Sequence, residues 1–141
     1  MWHTKKKGKR RKKTPLQKLE KKADGLVRDI IRLENNMCCQ SCGKTITNKC
    51  DAHTAHIVSR SHKILRWVLE NILLLCFHCH QSYHGDGALK EFVKKEYPAR
   101  YYYLYEEGSP VRCNQPTPKR TEIERIEWMQ KIITELEELK K

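Results

Sequence analysis

No apolar run in the 141 residues is long enough to span a bilayer, and no apolar stretch follows the N-terminus as a secretory leader would require. A cytoplasmic protein is therefore expected. Apolar residues are scarce in general: the hydrophobic share is 38% and the mean hydropathy −0.80. Such a chain can build one modest core, which gains from a staple such as a bound metal, and at this length a second full domain is not expected. Acidic residues are outnumbered, 17 Asp and Glu against 29 Lys and Arg, and they form no carboxylate cluster of the kind that gathers two metal ions.

The excess charge of +12 is unevenly spread, because Lys5, Lys6, Lys7, Lys9, Arg10, Arg11, Lys12 and Lys13 supply eight of the positive charges. Residues 1–13 read as a disordered basic tail. The block repels itself, buries nothing, and attracts a polyanion by releasing the polyanion's counterions. A merely solvated tail is the plainer alternative, and what lies downstream favours nucleic acid.

Thr14 followed by Pro15 is a helix start, with a hydroxyl cap and proline in the first turn. Leu16, Leu19, Ala23, Leu26, Ile30, Leu33 and Met37 follow at alternating spacings of three and four, one stripe of a helix over 14–37 that Gly25 weakens. At the other end Thr121 and Glu124 form a capping box. Ile123, Ile126, Met129, Ile133, Leu136 and Leu139 then mark a second amphipathic helix over 121–141. The two helices either pack together or serve a homodimer. Gly, Ser, Asn and Pro residues make 108–120 a loop.

The segment 38–107 carries the chemistry. Asp51 to Ser59 reads as a strand, Glu70 to Leu75 as a second strand, and Phe77 to about His84 as a helix, with a further helix after Gly87. Tyr101, Tyr102, Tyr103 and Tyr105 read as half-buried packing residues rather than base-stacking ones, and Trp67 as core. Cys39 and Cys42 form one CxxC pair, and Cys76 and Cys79 a second. Each pair places two thiolates on one side of a tight turn, and together they make the closed tetrahedral set that structural zinc requires. Of the leftover thiols, Cys38 is the one that could replace Cys39; Cys50 and Cys113 read as ordinary small residues.

His80 and His84 lie four apart on the helix, so both rings reach one ion. His53 and His56 are three apart in the first strand, and a period of two sends them to opposite faces. One can complete the ligand set while the other stays available as a base.

Ala55-His56-Ile57, Asn71-Ile72-Leu73-Leu74-Leu75-Cys76 and Cys79-His80-Gln81-Ser82-Tyr83-His84 together resemble the ββα-metal motif of the HNH endonucleases, and Cys39 to Lys44 resembles their zinc-bearing branch. The likeness covers about a third of the chain, and its motifs are specific in combination only. Ser59-Arg60, Leu65-Arg66-Trp67 and the charged C-terminal helix are further similar to the NinG/Rap recombination proteins of lambdoid phages. The resemblance implies a small α+β domain: a ββα-metal core pinned by a four-cysteine zinc site and flanked by amphipathic helices. It also implies a metal-dependent DNA endonuclease, in the host cytoplasm if phage-encoded.

In that reading His56 is the general base, and Asn71 orients it or joins two strands. His80, His84 and His53 hold one catalytic ion, with imidazoles suiting Mn, Ni or Zn better than Mg. Most of the family places Asp or His directly before the base, where this chain has Ala55. His53 is expected to reach the ion instead, with Asp51 as the alternative. Arg60, Lys63 and Arg66 are expected to meet phosphate alongside the basic tail. Two rival classes remain: a non-enzymatic zinc-bound DNA-binding module, and a redox protein using Cys39 and Cys42.

Overall fold

The computed structural model describes residues 8–84, 87–105 and 119–141. Lys5, Lys6, Lys7 and Cys113, and most of the expected loop, lie outside the described residues. Lys9 to Lys13 are exposed and carry no regular structure.

Helix α1 spans Pro15–Glu34. Thr14 Oγ1 accepts from the Gln17 N–H at 3.2 Å and Gln17 Oε1 accepts from the Thr14 N–H at 3.0 Å, a reciprocal capping box with Gln in the place that Glu124 takes in the C-terminal helix. The helix ends earlier than its apolar stripe suggests. Asn35 folds back to donate to the Ile31 carbonyl at 2.8 Å, and Asn36 and Met37 take φ values of 50° and 57°, which no helix continues. Helix α5, Glu122–Lys140, starts at the expected Thr121–Glu124 box.

The two terminal helices pack on each other within one chain. Ala23, Val27, Ile30 and Ile31 of α1 and Met129, Ile133 and Leu136 of α5 are buried in a single core, while Ile123, Leu139 and Leu33 stay exposed. The pairs Lys22–Glu137 at 2.9 Å and Lys140–Asp29 at 3.0 Å fix the register and show the helices running in the same direction.

Between them in sequence lies a two-stranded antiparallel sheet. Strand β1 is Ala52–His56 and β2 is Ile72–Cys76, with Ala52 opposite Cys76 and His56 opposite Ile72. The first strand is shorter at both ends than the sequence suggests, and the second starts two residues later and runs one further; 3-10 turns at Lys49–Asp51 and Leu69–Asn71 lead into them. Ile72, Leu73, Leu74 and Leu75 are fully buried. At about 2 kcal/mol for each such side chain, β2 is the axis of the core.

Helix α2, Phe77–Ser82, leaves β2 directly, and α3, Ala88–Glu96, and α4, Pro98–Tyr105, follow. Arg100 ties α4 back to β2 by donating to the Ile72 carbonyl at 2.8 Å, and Tyr97 Oη donates to the Gln40 carbonyl at 2.6 Å. Trp67 and Leu104 are core, and Tyr102 is exposed.

Candidate metal centres and the histidine cleft

The Cys39-to-Cys42 turn is stitched to the edge of β2. Gln40 N–H donates to the Leu74 carbonyl at 2.8 Å, and Leu74 N–H donates to Gln40 Oε1 at 2.8 Å. The second pair sits where β2 becomes α2, with Cys76 as the helix cap. The ligand atoms of Cys39, Cys42, Cys76 and Cys79 therefore converge, all within 4.8 Å of one another. Cys42 Sγ and Cys76 Sγ are 3.9 Å apart, close to the ~3.8 Å between sulfurs of a tetrahedral zinc with Zn–S of about 2.3 Å.

The surroundings also suit thiolates. Cys79 N–H donates to Cys76 Sγ at 3.4 Å. Burial raises the Cys39 thiol, but the backbone N–H groups of Cys42, Cys76 and Ser41 outweigh it and bring the group down to about 7. Cys79 is pushed up to about 12 by burial and by sharing hydrogen bonds with its neighbouring thiols. One site that holds one thiol ready and one reluctant to ionise is what a divalent cation resolves. Cys38 is not in the quartet; its Sγ lies 3.6 Å from the Asn36 carbonyl.

The same turn positions α2. Ser41 Oγ and Tyr83 Oη are hydrogen-bonded at 2.7 Å, so the residue between the first two thiols holds the end of the helix that carries His80.

The two strand histidines diverge as a period of two requires. His53 turns toward α2, where its Nδ1 lies 2.9 Å from His80 Nδ1, and Phe77 stands edge-on to its ring. Its Nε2–H donates to the Cys50 carbonyl at 3.1 Å. A carbonyl can only accept, so the neutral ring keeps its lone pair on Nδ1, facing His80. Two nitrogens on one tetrahedral ion would stand about 3.3 Å apart. His84, expected on the same helix, lies two residues past the end of α2, its ring tilted 37° to that of His80 at 5.1 Å between centroids. Burial lowers the His80 pKa, and the neighbouring His53 and His84 lower it further, so the ring stays neutral, as a ligand must be. Asp51 lies in the turn before β1. Among the described residues, the cysteine quartet alone brings three or more ligand atoms to metal-binding convergence; the histidine set does not close to that degree.

His56 faces the other way, into a groove against α1, and also borders a cleft of about 400 Å³ shared with His80 and His84. Its Nε2–H donates to the Arg66 carbonyl at 2.9 Å. Burial depresses its pKa most, Arg60 and Arg66 also lower it, and the Arg66 carbonyl and Asp24 work in the opposite direction.

Asn71, fully buried, does not orient the His56 ring directly. Its three side-chain hydrogen bonds go to backbone: Oδ1 accepts from Val58 N–H at 2.7 Å, and Nδ2 donates to the Val58 and Leu65 carbonyls at 3.0 and 3.1 Å. It thus closes the loop between the strands, tying Val58 and Leu65 to the residue before β2, and shapes the segment that supplies the Arg66 carbonyl.

The loop cations differ from expectation. Arg66 is mostly buried and bound to Asp24 at 2.6 Å and Glu20 at 3.5 Å, Arg60 pairs with Asp24 at 3.2 Å, and Lys63 with Glu20 at 3.2 Å. Trp67 Nε1 also donates to Asp24, at 2.9 Å. Arg66 is therefore spent inside the fold, whereas Arg60 and Lys63 keep exposed surface. Glu20 and Asp24 were invisible as partners because more than 35 residues separate them from these cations.

These features define a small α+β domain with a two-stranded sheet and a four-cysteine cluster at metal-binding distance. The family model described as Bacteriophage Lambda NinG protein matches residues 2–132, and the chain belongs to that family. No curated protein and no solved structure matches it. No helix among the described residues is long and apolar enough to cross a membrane.

Proposed function

We propose that the chain is a metal-dependent DNA endonuclease of the HNH type, pinned by structural zinc and serving phage recombination or DNA processing. The observation that carries this is the histidine arrangement: the His53 and His80 Nδ1 atoms face each other at 2.9 Å, and His56, with its lone pair on Nδ1, borders the cleft that His80 and His84 also line. Three imidazoles and a separate buried base are more than a structural zinc domain needs.

A divalent ion held by His53, His80 and His84 would offset the charge gathering on the phosphate and on the departing 3′ oxygen. His56 Nδ1 takes a proton from the water whose oxygen attacks phosphorus. The P–O3′ bond breaks, leaving a 5′-phosphate and a 3′ oxygen protonated from solvent. Asn71 and the Arg66 carbonyl hold the base in place. The basic tail, Arg60 and Lys63 attract the DNA.

A non-enzymatic zinc-bound DNA-binding module is the second reading, favoured by the tighter convergence of the cysteines than of the histidines. Incubating the zinc-loaded chain with duplex, nicked and branched DNA, with Mn²⁺ or with EDTA, separates the two. Cleavage in Mn²⁺ alone supports the nuclease; DNA binding without cleavage in any divalent metal supports the module.

A further inference from the structure

Gly25 stands in the middle of the 20-residue helix α1, where glycine costs helix stability. Its φ is not positive, so the backbone does not demand it. A Cβ there would meet Arg28 Nη2 alone, at 3.7 Å, an ordinary contact, so packing does not demand it either. What lies in front of Gly25 is a groove of about 310 Å³ between α1 and β1. Lys21 and Arg28 rim it on the helix side, and Thr54 and His56 line the strand side.

The groove is cationic. Lys21, Arg28 and Arg60 border it beside Arg66, which Asp24 and Glu20 already hold, and its one acid, Asp24, is engaged by Arg60, Arg66 and Trp67. Lys21 and Arg28 are exposed and have no acid partner among the described residues. Lys13, the last residue of the basic tail, sits against Lys21, whose ammonium lowers its pKa. Crowded like charges of this kind are relieved by a polyanion.

We propose that this groove seats the sugar-phosphate backbone of DNA, with Lys21 and Arg28 meeting phosphates and Gly25 letting the strand lie close to α1. The inference rests on the nuclease reading for its direction, since His56 ends the groove. It makes the N-terminal helix part of the nucleic-acid interface rather than packing alone. A glycine at a point of close approach is a standard device for admitting a ligand to the backbone.

The test measures binding of a fluorescein-labelled 20-base-pair duplex to the full, zinc-loaded chain, in buffer without chelator or added Mn²⁺, across a salt series. Lys21→Gln combined with Arg28→Gln should lower the slope of log affinity against log salt by about 1.8, roughly 0.9 for each phosphate neutralised. Lys95→Gln combined with Lys131→Gln removes the same charge elsewhere and should leave the slope unchanged. Gly25→Gln should raise the melting temperature yet weaken binding at least threefold. Equal slopes for the two double variants, wild-type binding by Gly25→Gln, or a lowered melting temperature for it would each overturn the proposal. Groove-dependent binding without cleavage in Mn²⁺ sinks the nuclease reading alone; cleavage with an unaltered slope sinks the groove alone.

Discussion

The His56 ring donates its Nε2 proton to the carbonyl of Arg66 at 2.9 Å, which leaves Nδ1 as the only nitrogen of the neutral ring able to take a proton. Since burial depresses its pKa, His56 loses its acid-form proton below the ordinary histidine value of about 6.5. The acid limb of kcat/KM should therefore fall below about pH 6.5, and nitrogen NMR should find the Nε2–H tautomer at neutral pH. The sign for stability follows the same way. The unfolded chain binds the proton more readily, so this group's contribution is complete above about pH 6.5 and is lost as pH falls through the folded value.

The cysteine quartet should hold about one zinc per chain, and loading should release protons, since Cys79 is protonated at neutral pH in the absence of metal. Structural zinc supplies on the order of 10 kcal/mol in small domains. Cys76→Ser should therefore leave the domain largely unfolded by circular dichroism, whereas Cys38→Ser and Cys50→Ser should keep both zinc and fold. A folded, metal-free Cys76→Ser protein would show that zinc does not hold the fold together.

Asp24 holds together Arg60, Arg66 and Trp67, and the Arg66 side chain is only 11% exposed. Asp24→Ala strands that guanidinium. Breaking a fully buried pair costs about 3–5 kcal/mol, and because Asp24 itself is 30% exposed the expected cost is nearer ~2 kcal/mol. Asp29→Ala, which removes an open pair with Lys140, should cost under about 1 kcal/mol. Urea unfolding of the two variants checks the difference; equal costs would mean that water screens the Asp24 cluster.

Deleting residues 1–13 should weaken DNA binding and flatten its salt dependence, by about 0.9 in slope for each phosphate that the tail neutralises. A slope identical to that of the full chain would make the tail a solvated appendage.

The parts of this fold that could be read in advance are those with local signatures: the paired CxxC turns, the buried run Ile72 to Leu75, the divergence of His53 and His56, and the cap at Thr121. Non-local relations could not. The periodicity of α1 runs on to Met37, but Asn35 to Met37 turn away because side-chain capping at Ile31 outcompetes the next turn. Arg60, Lys63 and Arg66 look like phosphate ligands in one dimension, and only the fold brings Glu20 and Asp24 against them. Asn71 is marked by its place before β2, but its work on the backbone of Val58 and Leu65 depends on how the intervening loop closes.

Cleavage of supercoiled plasmid DNA by His56→Ala, beside the wild-type chain and in Mn²⁺, tests the role of this histidine as general base most directly. Cleavage should fall by at least about a hundredfold, the usual span of general-base catalysis, with zinc content, Mn²⁺ affinity and DNA affinity unchanged. A His56→Ala protein that cuts at the wild-type rate would contradict it.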